Sequence, residues 1–298
     1  MTQSKLFVVT GVSGNTGAAV ATALLAGKHA VRVVVRDAAK GAAWTARGAE
    51  VAVADVADRS AFAAALRGAT GAYLLLPPPA WTATGIAADR ARTIAAIAGA
   101  VADAKPPSIV ALSSTGAQHA SGTGRIADLH AFESALVATG VPTTFLRAGF
   151  FMENWGSQIA GAVATGTLYY GASTTAPVPQ VAAADIGKTA ARLLLEGAHV
   201  TGTRVVQLAG PTDASTADVV AILGRLAGKP IAAVEVPPAG VAQALLGMGA
   251  SQEVADGMAG IYAGLTAGLL TWTSPDVIRG TITLEQRLRE LLAASRAA

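Results

Sequence analysis

Apolar residues arrive in two rhythms along the first half of the chain. Short, nearly unbroken runs, such as Val31 with Val33, Val34 and Val35, or Tyr73 to Leu76, alternate with longer Ala-rich stretches of helical periodicity. The runs predict strands over 5–10, 30–35, 49–54, 71–76, 108–112 and 143–146. The stretches between them predict helices near 15–27, 38–47, 58–67, 84–104 and 125–139. A strand that is apolar on both sides of its pleat is covered on both faces, which favours a parallel sheet between helices. Strands joined by helical crossovers in this way predict an α/β fold, a doubly wound parallel sheet of the Rossmann type, over residues 1–150.

After Arg147 the rhythm changes. A helix near 151–164, a strand at 167–170 and a Gly/Ser/Thr/Pro-rich link over 171–179 come first. The segment AADIGKTAARLLLE then predicts a helix with Asp185 as its N-cap. A strand at 203–208, a helix at 215–227, a strand at 231–236 and helices near 239–248 and 251–268 follow. Thr283-Leu-Glu-Gln286 matches a capping box that opens a last helix. These elements make a second, smaller substrate region over 151–298, from which 177–200 returns to the first domain.

Composition narrows the class of protein. The chain has 298 residues, 52% of them hydrophobic and 14% charged, a globular balance far from that of disorder. There is no cysteine, which excludes disulfides, thiolate metal sites and a thiol nucleophile. His29, His119 and His199 show no ligand spacing with one another, and the segment holding His119 and His130 offers no acidic partner at metal-ligand spacing, so no metal is expected. The net charge of +3 hints at an anionic ligand, yet no Lys/Arg cluster marks a nucleic-acid surface. The densest basic group, Arg287 and Arg289, is mixed with Glu285 and Glu290 and reads as a solvated helix face. With no long apolar run and no signal-peptide pattern, a cytoplasmic protein off the membrane is expected.

The candidate chemistry begins at VVTGVSGNTG. Gly11, Gly14 and Gly17 follow a strand and enter a helix. Glycines there allow a sharp turn and close approach of a pyrophosphate, and the helix N-terminus offers free N–H groups to it. Ser13, Asn15 and Thr16 add side-chain donors. The spacing is not GxGxxG but the looser one of short-chain-type nucleotide binders. The second strand ends in VRVVVRD. Arg36 at its tip, with Lys40 beyond, suits the 2′-phosphate of NADPH, whereas a solvated Arg36 would leave Asp37 for the ribose of NADH. Asp55, after the third strand, suits either the adenine amino group or the cap of the next helix.

VTGVSGNTG, VVVRDAAK, GAYLLLPPP, TTFLRAGFFMENW, VPQVAAADIGKTAARLL and RVVQLAGPTDASTADVVAILGRLAGKPI together resemble the NmrA-like, atypical short-chain dehydrogenase/reductase family. Within it they resemble the bacterial NAD(P)H:quinone oxidoreductase-like and triphenylmethane reductase-like branch. The resemblance implies a dinucleotide in a cleft between two domains. It implies that Leu75, Leu76 and Pro77 pass the inner ribose and that Ser113, Ser114 and Thr115 line the nicotinamide pocket. It also implies that Ala148, Gly149 and Phe150 cover the nicotinamide, and that Phe151, Glu153, Asn154 and Trp155 face a small-molecule substrate. Relatives of this kind often pair, so a homodimer is a further expectation.

The four tyrosines, Tyr73, Tyr169, Tyr170 and Tyr262, lack a lysine four residues on, so the Tyr-x-x-x-Lys pair of ordinary short-chain reductases is absent. Relatives place Lys or His four residues before the position of Glu133. Here that place is Leu129, with His130 beside it. Ser114, Thr115 and His130 are therefore the candidate catalytic residues. Two functions fit: reduction of a quinone-like acceptor by NADPH, and non-catalytic sensing of NADP(H).

Overall fold

A computed structural model describes residues 5–197 and 201–297; His199 lies outside the described residues. The apolar runs form β1 (Leu6–Val9), β2 (Ala30–Val35), β3 (Glu50–Val53), β4 (Gly71–Leu74), β5 (Ile109–Ser114) and β6 (Thr143–Ala148). Between them lie α1 (Asn15–Ala26), a 3-10 turn (Ala38–Gly41) with the short α2 (Ala42–Thr45), α3 (Arg59–Leu66), α4 (Ile86–Ala104) and a second 3-10 turn (Gly124–Ile126) leading into α5 (Ala127–Val137). Beyond β6 come β7 (Phe150–Phe151), α6 (Gly156–Thr165), β8 (Thr167–Tyr170), β9 (Gln180–Val181), α7 (Ala183–Glu196) and β10 (Thr203–Ala209). The chain continues with α8 (Thr216–Ala227), β11 (Ala232–Glu235), α9 (Pro238–Gly247), α10 (Gln252–Thr266), β12 (Val277–Arg279) and α11 (Leu284–Ala297).

Eight strands form one sheet in the order β12-β10-β6-β5-β4-β1-β2-β3, and every pairing in it is parallel. The chain after residue 150 thus contributes β10 and β12 to the main sheet, and α7 packs along α1. Strand order reverses at β1, whose neighbours are β2 and β4. The crevice beyond the carboxyl ends of strands at such a reversal is where open α/β sheets bind ligands.

Each sheet face carries its own core. Phe7, Val9, Val20, Leu24, Val33, Ile186 and Leu194 fill one side, between the sheet and the α1–α7 pair. Val8, Phe62, Leu66, Leu74, Ile97, Phe132 and Leu136 fill the other, under α3, α4 and α5. Burying one such aliphatic or aromatic side chain contributes roughly 1.5–3 kcal/mol. A third core, around Met152, Trp155, Ile159, Leu168, Val219, Leu223 and Leu288, knits α6, β8, α8 and α11 into a smaller body. There β8 and β11 pair with each other, apart from the main sheet.

Two capping expectations resolve differently from one another. The N-cap of α7 is Ala182, and Asp185 lies one turn inside. The Asp185 carboxylate instead accepts the N–H groups of Thr281 and Ile282, both at 2.9 Å, and so ties α7 to the chain after β12. At α11, Thr283 Oγ1 accepts the Gln286 N–H at 3.1 Å. A capping box made in both directions stands at Ser215 and Asp218, at the start of α8.

Candidate functional site

The glycine turn is built by steric need at two of its three glycines. Gly11 has φ +69°, a left-handed conformation that side chains disfavour. At Gly17, a Cβ would lie 2.4 Å from the Gly11 carbonyl and from the Thr10 oxygen, so only glycine lets α1 start this close to β1. Gly14 is different: a Cβ there meets only the Gly11 oxygen, at 3.5 Å. Gly14 is also the N-cap of α1 and supplies no side chain to its first N–H groups. Ser13, Gly14 and Asn15 are exposed, while Thr16 is buried. An uncapped helix N-terminus at an exposed glycine is the fit a pyrophosphate needs.

Thr10 connects this turn to the rest of the cleft. Its Oγ1 donates to the Tyr73 carbonyl at 3.1 Å and accepts the Leu75 N–H at 3.3 Å. That bond draws Leu75 beneath Gly11, where a Cβ would collide with its side chain. Leu75, Leu76 and Pro77 lie past the end of β4, which stops at Leu74 rather than at 76. All three line a cavity of about 500 Å³. Arg36 and Lys40 stand exposed after β2, on either side of Asp37. Asp37 Oδ1 accepts the Ala39 N–H, which caps the 3-10 turn. Asp55 is exposed and accepts the Ala57 N–H at 2.9 Å, while the cap of α3 is Asp58.

The floor of the cavity is the carboxyl end of β5 and β6. Ser113, Ser114, Thr115, Gly149, Phe150, Phe151 and Asn154 all contribute to its wall. Gly149 is required by close approach, because a Cβ there would lie 2.5 Å from the Pro179 carbonyl oxygen. Beneath the floor, Arg147 of β6 holds Glu133 of α5 in a two-pronged pair: Nε to Oε1 at 2.9 Å and Nη2 to Oε2 at 2.6 Å. The Ser113 hydroxyl donates to the same Glu133 Oε1 at 2.6 Å. Its proton is thereby committed inward.

Tyr170, from β8, and Tyr262, from α10, meet edge to face 5.2 Å apart, and both join the cavity wall. Burial raises the pKa of each and keeps both phenols neutral. Val254, Met258, Ile261 and Leu265 of α10 roof the cavity. The roof is fastened at one end. Glu253 accepts the Gly85 and Ile86 N–H groups, both at 2.7 Å, at the start of α4. These bonds, Ile86 first, lower the Glu253 pKa. A depressed carboxylate contributes its hold fully above its unfolded value and loses it as pH falls through the folded one. The clasp is therefore at full strength at neutral pH and loosens only on acidification. Glu253→Gln keeps a single acceptor oxygen and is expected to speed amide exchange at Gly85 and Ile86 at neutral pH. Unchanged exchange there would show that the clasp does not hold the roof.

Three expected site residues stand elsewhere. Trp155 is fully buried; its indole donates to Gln180 Oε1 at 2.8 Å and packs against Phe150 and Tyr170. It supports the wall from behind rather than facing a substrate. Glu153 accepts the Ala183 N–H at 2.9 Å and pairs with Arg287 Nε at 3.0 Å. Arg287 is consequently a bridge to Glu153, not part of a freely solvated face. His130 Nδ1 lies 3.0 Å from the Ala117 carbonyl, and it is Leu129 whose side chain enters the cavity wall. The sequence reading missed Arg90, Arg125 and Asp128, which also stand in that wall.

No described helix is long and apolar enough to cross a membrane. The fold is that of the NADPH-dependent quinone oxidoreductase QOR2 of Escherichia coli, 26% identical, with a TM-score of 0.79 over 96% of this chain and 99% of that one. QOR2 has also been crystallised with NADPH. The triphenylmethane reductase of Citrobacter sp. superposes equally well, with a TM-score of 0.80 over 97% of this chain and 99% of that one at 21% identity, a likeness of fold. Among curated proteins, the NAD(P)H azoreductase of Xenophilus azovorans is 31% identical over 125 residues, which span 42% of this chain and 43% of the azoreductase. Residues 3–269 match the NmrA-like family, and the chain belongs to that family.

Proposed function

We propose that the protein is an NADPH-dependent reductase that passes a hydride to a quinone-like or other conjugated small-molecule acceptor. One observation carries this: Leu75 lies under Gly11 and also lines the cavity, so the uncapped glycine turn and the apolar chamber are two ends of one cleft. The names of the quinone oxidoreductase and the azoreductase support the same class of reaction.

The residues divide the work along the cleft. The turn from Gly11 to Gly17, with Ser13, Asn15 and Thr16, takes the pyrophosphate. Arg36, with Lys40, takes the 2′-phosphate, and Asp55 stands at the adenine end. Leu75, Leu76 and Pro77 pass the inner ribose; Ser113, Gly149 and Phe150 frame the nicotinamide. Phe151, Asn154, Tyr170 and Tyr262 surround the acceptor. Bound NADPH supplies the hydride, so that NADPH, a proton and a quinone give NADP⁺ and a hydroquinone. Ser113 cannot release the proton, since its hydroxyl donates to Glu133. Neutral tyrosines without a lysine partner are poor donors, and Leu129 has none to give. Water at the mouth of the cleft delivers the proton, while Ser114 and Thr115 orient the acceptor oxygen.

The test is loss of the reduced nicotinamide absorbance when purified protein meets NADPH and a panel of quinones. A rate proportional to protein is expected. Arg36→Asp is expected to shift the preference toward NADH by about tenfold or more, since a charge-assisted pair with the 2′-phosphate is lost and a repulsion added. Unchanged NADPH affinity in that variant would remove Arg36 from the site. A non-catalytic NADP(H) sensor is the second reading, favoured by Leu129 in the cavity wall. Tight NADPH binding with no turnover across the panel would select it.

A further inference from the structure

The cavity wall carries charged side chains at one corner only. There, Arg90 from the first turns of α4 meets Arg125 and Asp128, just before and within α5. Arg90 is only 5% exposed. One of its Nη atoms donates to the Pro77 carbonyl, but its Nε is buried without a hydrogen-bond partner. A buried guanidinium N–H left unpaired costs about 1–3 kcal/mol or more, because water has been stripped from it. Asp128 faces it across ion-pair distance but makes no hydrogen bond to it. Its Oδ2 is 2.6 Å from Arg125 Nη2 and 3.8 Å from Arg90 Nε, beyond hydrogen-bond reach.

Other nearby carboxylates are engaged elsewhere. Asp89 pairs with Arg92 at the surface, and both oxygens of Glu253 accept backbone N–H groups. The corner therefore presents two guanidiniums against one carboxylate. Burial first, then the neighbouring Arg125, lower the Arg90 pKa, as expected for a cation short of counter-charge. A bound oxyanion would share Arg125 with Asp128, as guanidiniums share carboxylates and sulfonates in forked geometry, and would supply the counter-charge that the closed-off Arg90 lacks.

We propose that the Arg90–Arg125 corner is an oxyanion subsite, and that the acceptor in this cavity is a conjugated ring system carrying a carboxylate or sulfonate. This rests on the reductase reading for the word acceptor; the subsite itself is tested by binding, without turnover. The apolar and aromatic walls take the flat body of the molecule, and the corner fixes which end points where. One charged substituent so placed orients the ring against Ser114, Thr115 and Phe150 at the floor. A cationic dye is disfavoured at the same corner.

The experiment titrates anthraquinone monosulfonate, its neutral sulfonamide and a trimethylammonium analogue into the NADP⁺-loaded protein and into the protein alone. The sulfonate is expected to bind roughly tenfold or more tighter than the sulfonamide, the worth of one charge-assisted hydrogen bond. Arg125→Gln and Arg90→Gln are each expected to bring that ratio down to about twofold or less. Asp128→Asn is expected to raise it, by releasing Arg125. Should Arg90→Gln fail to fold, since Arg90 also holds Pro77, the Arg125 and Asp128 variants decide alone. The proposal is overturned by a ratio near one in the unmodified protein, by a preference for the cation, or by a ratio that neither variant changes. It is equally overturned if both arginine variants weaken NADP⁺ binding as much as sulfonate binding, which would give the corner to the cofactor. Absence of NADPH oxidation with any quinone would remove the reductase reading and leave the binding ratio standing.

Discussion

Arg147→Met is expected to cost about 3–5 kcal/mol of folding stability, the range for removing one partner of a buried ion pair. Arg147 and Glu133 are each 7% exposed, and they meet through two bonds of 2.9 and 2.6 Å. Without the guanidinium, the Glu133 carboxylate keeps only the Ser113 hydroxyl in a site closed to water. The uncompensated charge, not the lost attraction, sets the size of the effect. The double variant Glu133→Leu, Arg147→Met removes both charges and is expected to recover most of the loss. Urea unfolding midpoints at constant slope measure both. Equal, small losses in the single and double variants would show that the pair is exposed to water in solution. Function should follow a different order. Ser113 loses its partner in the double variant, so the cavity floor is disturbed even where stability returns.

That pair marks the boundary of what one sequence discloses. The β-rich runs announced β1 to β6, most plainly where a strand writes its double burial into consecutive residues, as β4 and β6 do; β3, at the sheet edge, is only partly covered. The glycine turn was equally plain, since strand, glycines and helix are contiguous. Partnerships across the fold were not. Glu133 and Arg147 look like ordinary helix and strand residues until β6 is set beside α5. Trp155 looks like a substrate-facing aromatic until Gln180, 25 residues later, satisfies its indole. Asp185 matches a helix cap by position, yet its carboxylate is claimed by backbone 96 and 97 residues downstream. β12 escaped notice altogether: two half-buried residues and the exposed Arg279, beside β10, carry too short a pattern to read. Arg90 was hidden in the same way, as a charge in an Ala-rich helix whose burial depends on Pro77 and α5 coming together.

The glycine turn allows a sharper test, because its glycines serve different masters. Gly17→Ala places a methyl 2.4 Å from backbone atoms of Thr10 and Gly11, which cannot rotate away. Either α1 retreats from β1 or the turn distorts, at a cost of roughly 1–3 kcal/mol or more. Gly14→Ala does nothing of the kind. Its φ of −109° suits any residue, and the nearest atom to the new methyl is at an ordinary 3.5 Å. Stability should fall by no more than about 1 kcal/mol, the penalty of alanine in place of glycine at an N-cap that makes no side-chain bond. NADPH affinity should nevertheless fall by about tenfold or more, ~1.4 kcal/mol, because the methyl occupies the space a pyrophosphate needs to reach the α1 N–H groups. Unfolding curves and a cofactor titration on the same two variants separate the roles. If Gly14→Ala bound NADPH as the parent does, the absence of any internal reason for glycine there would have no ligand to explain it, and the phosphates would have to lie elsewhere.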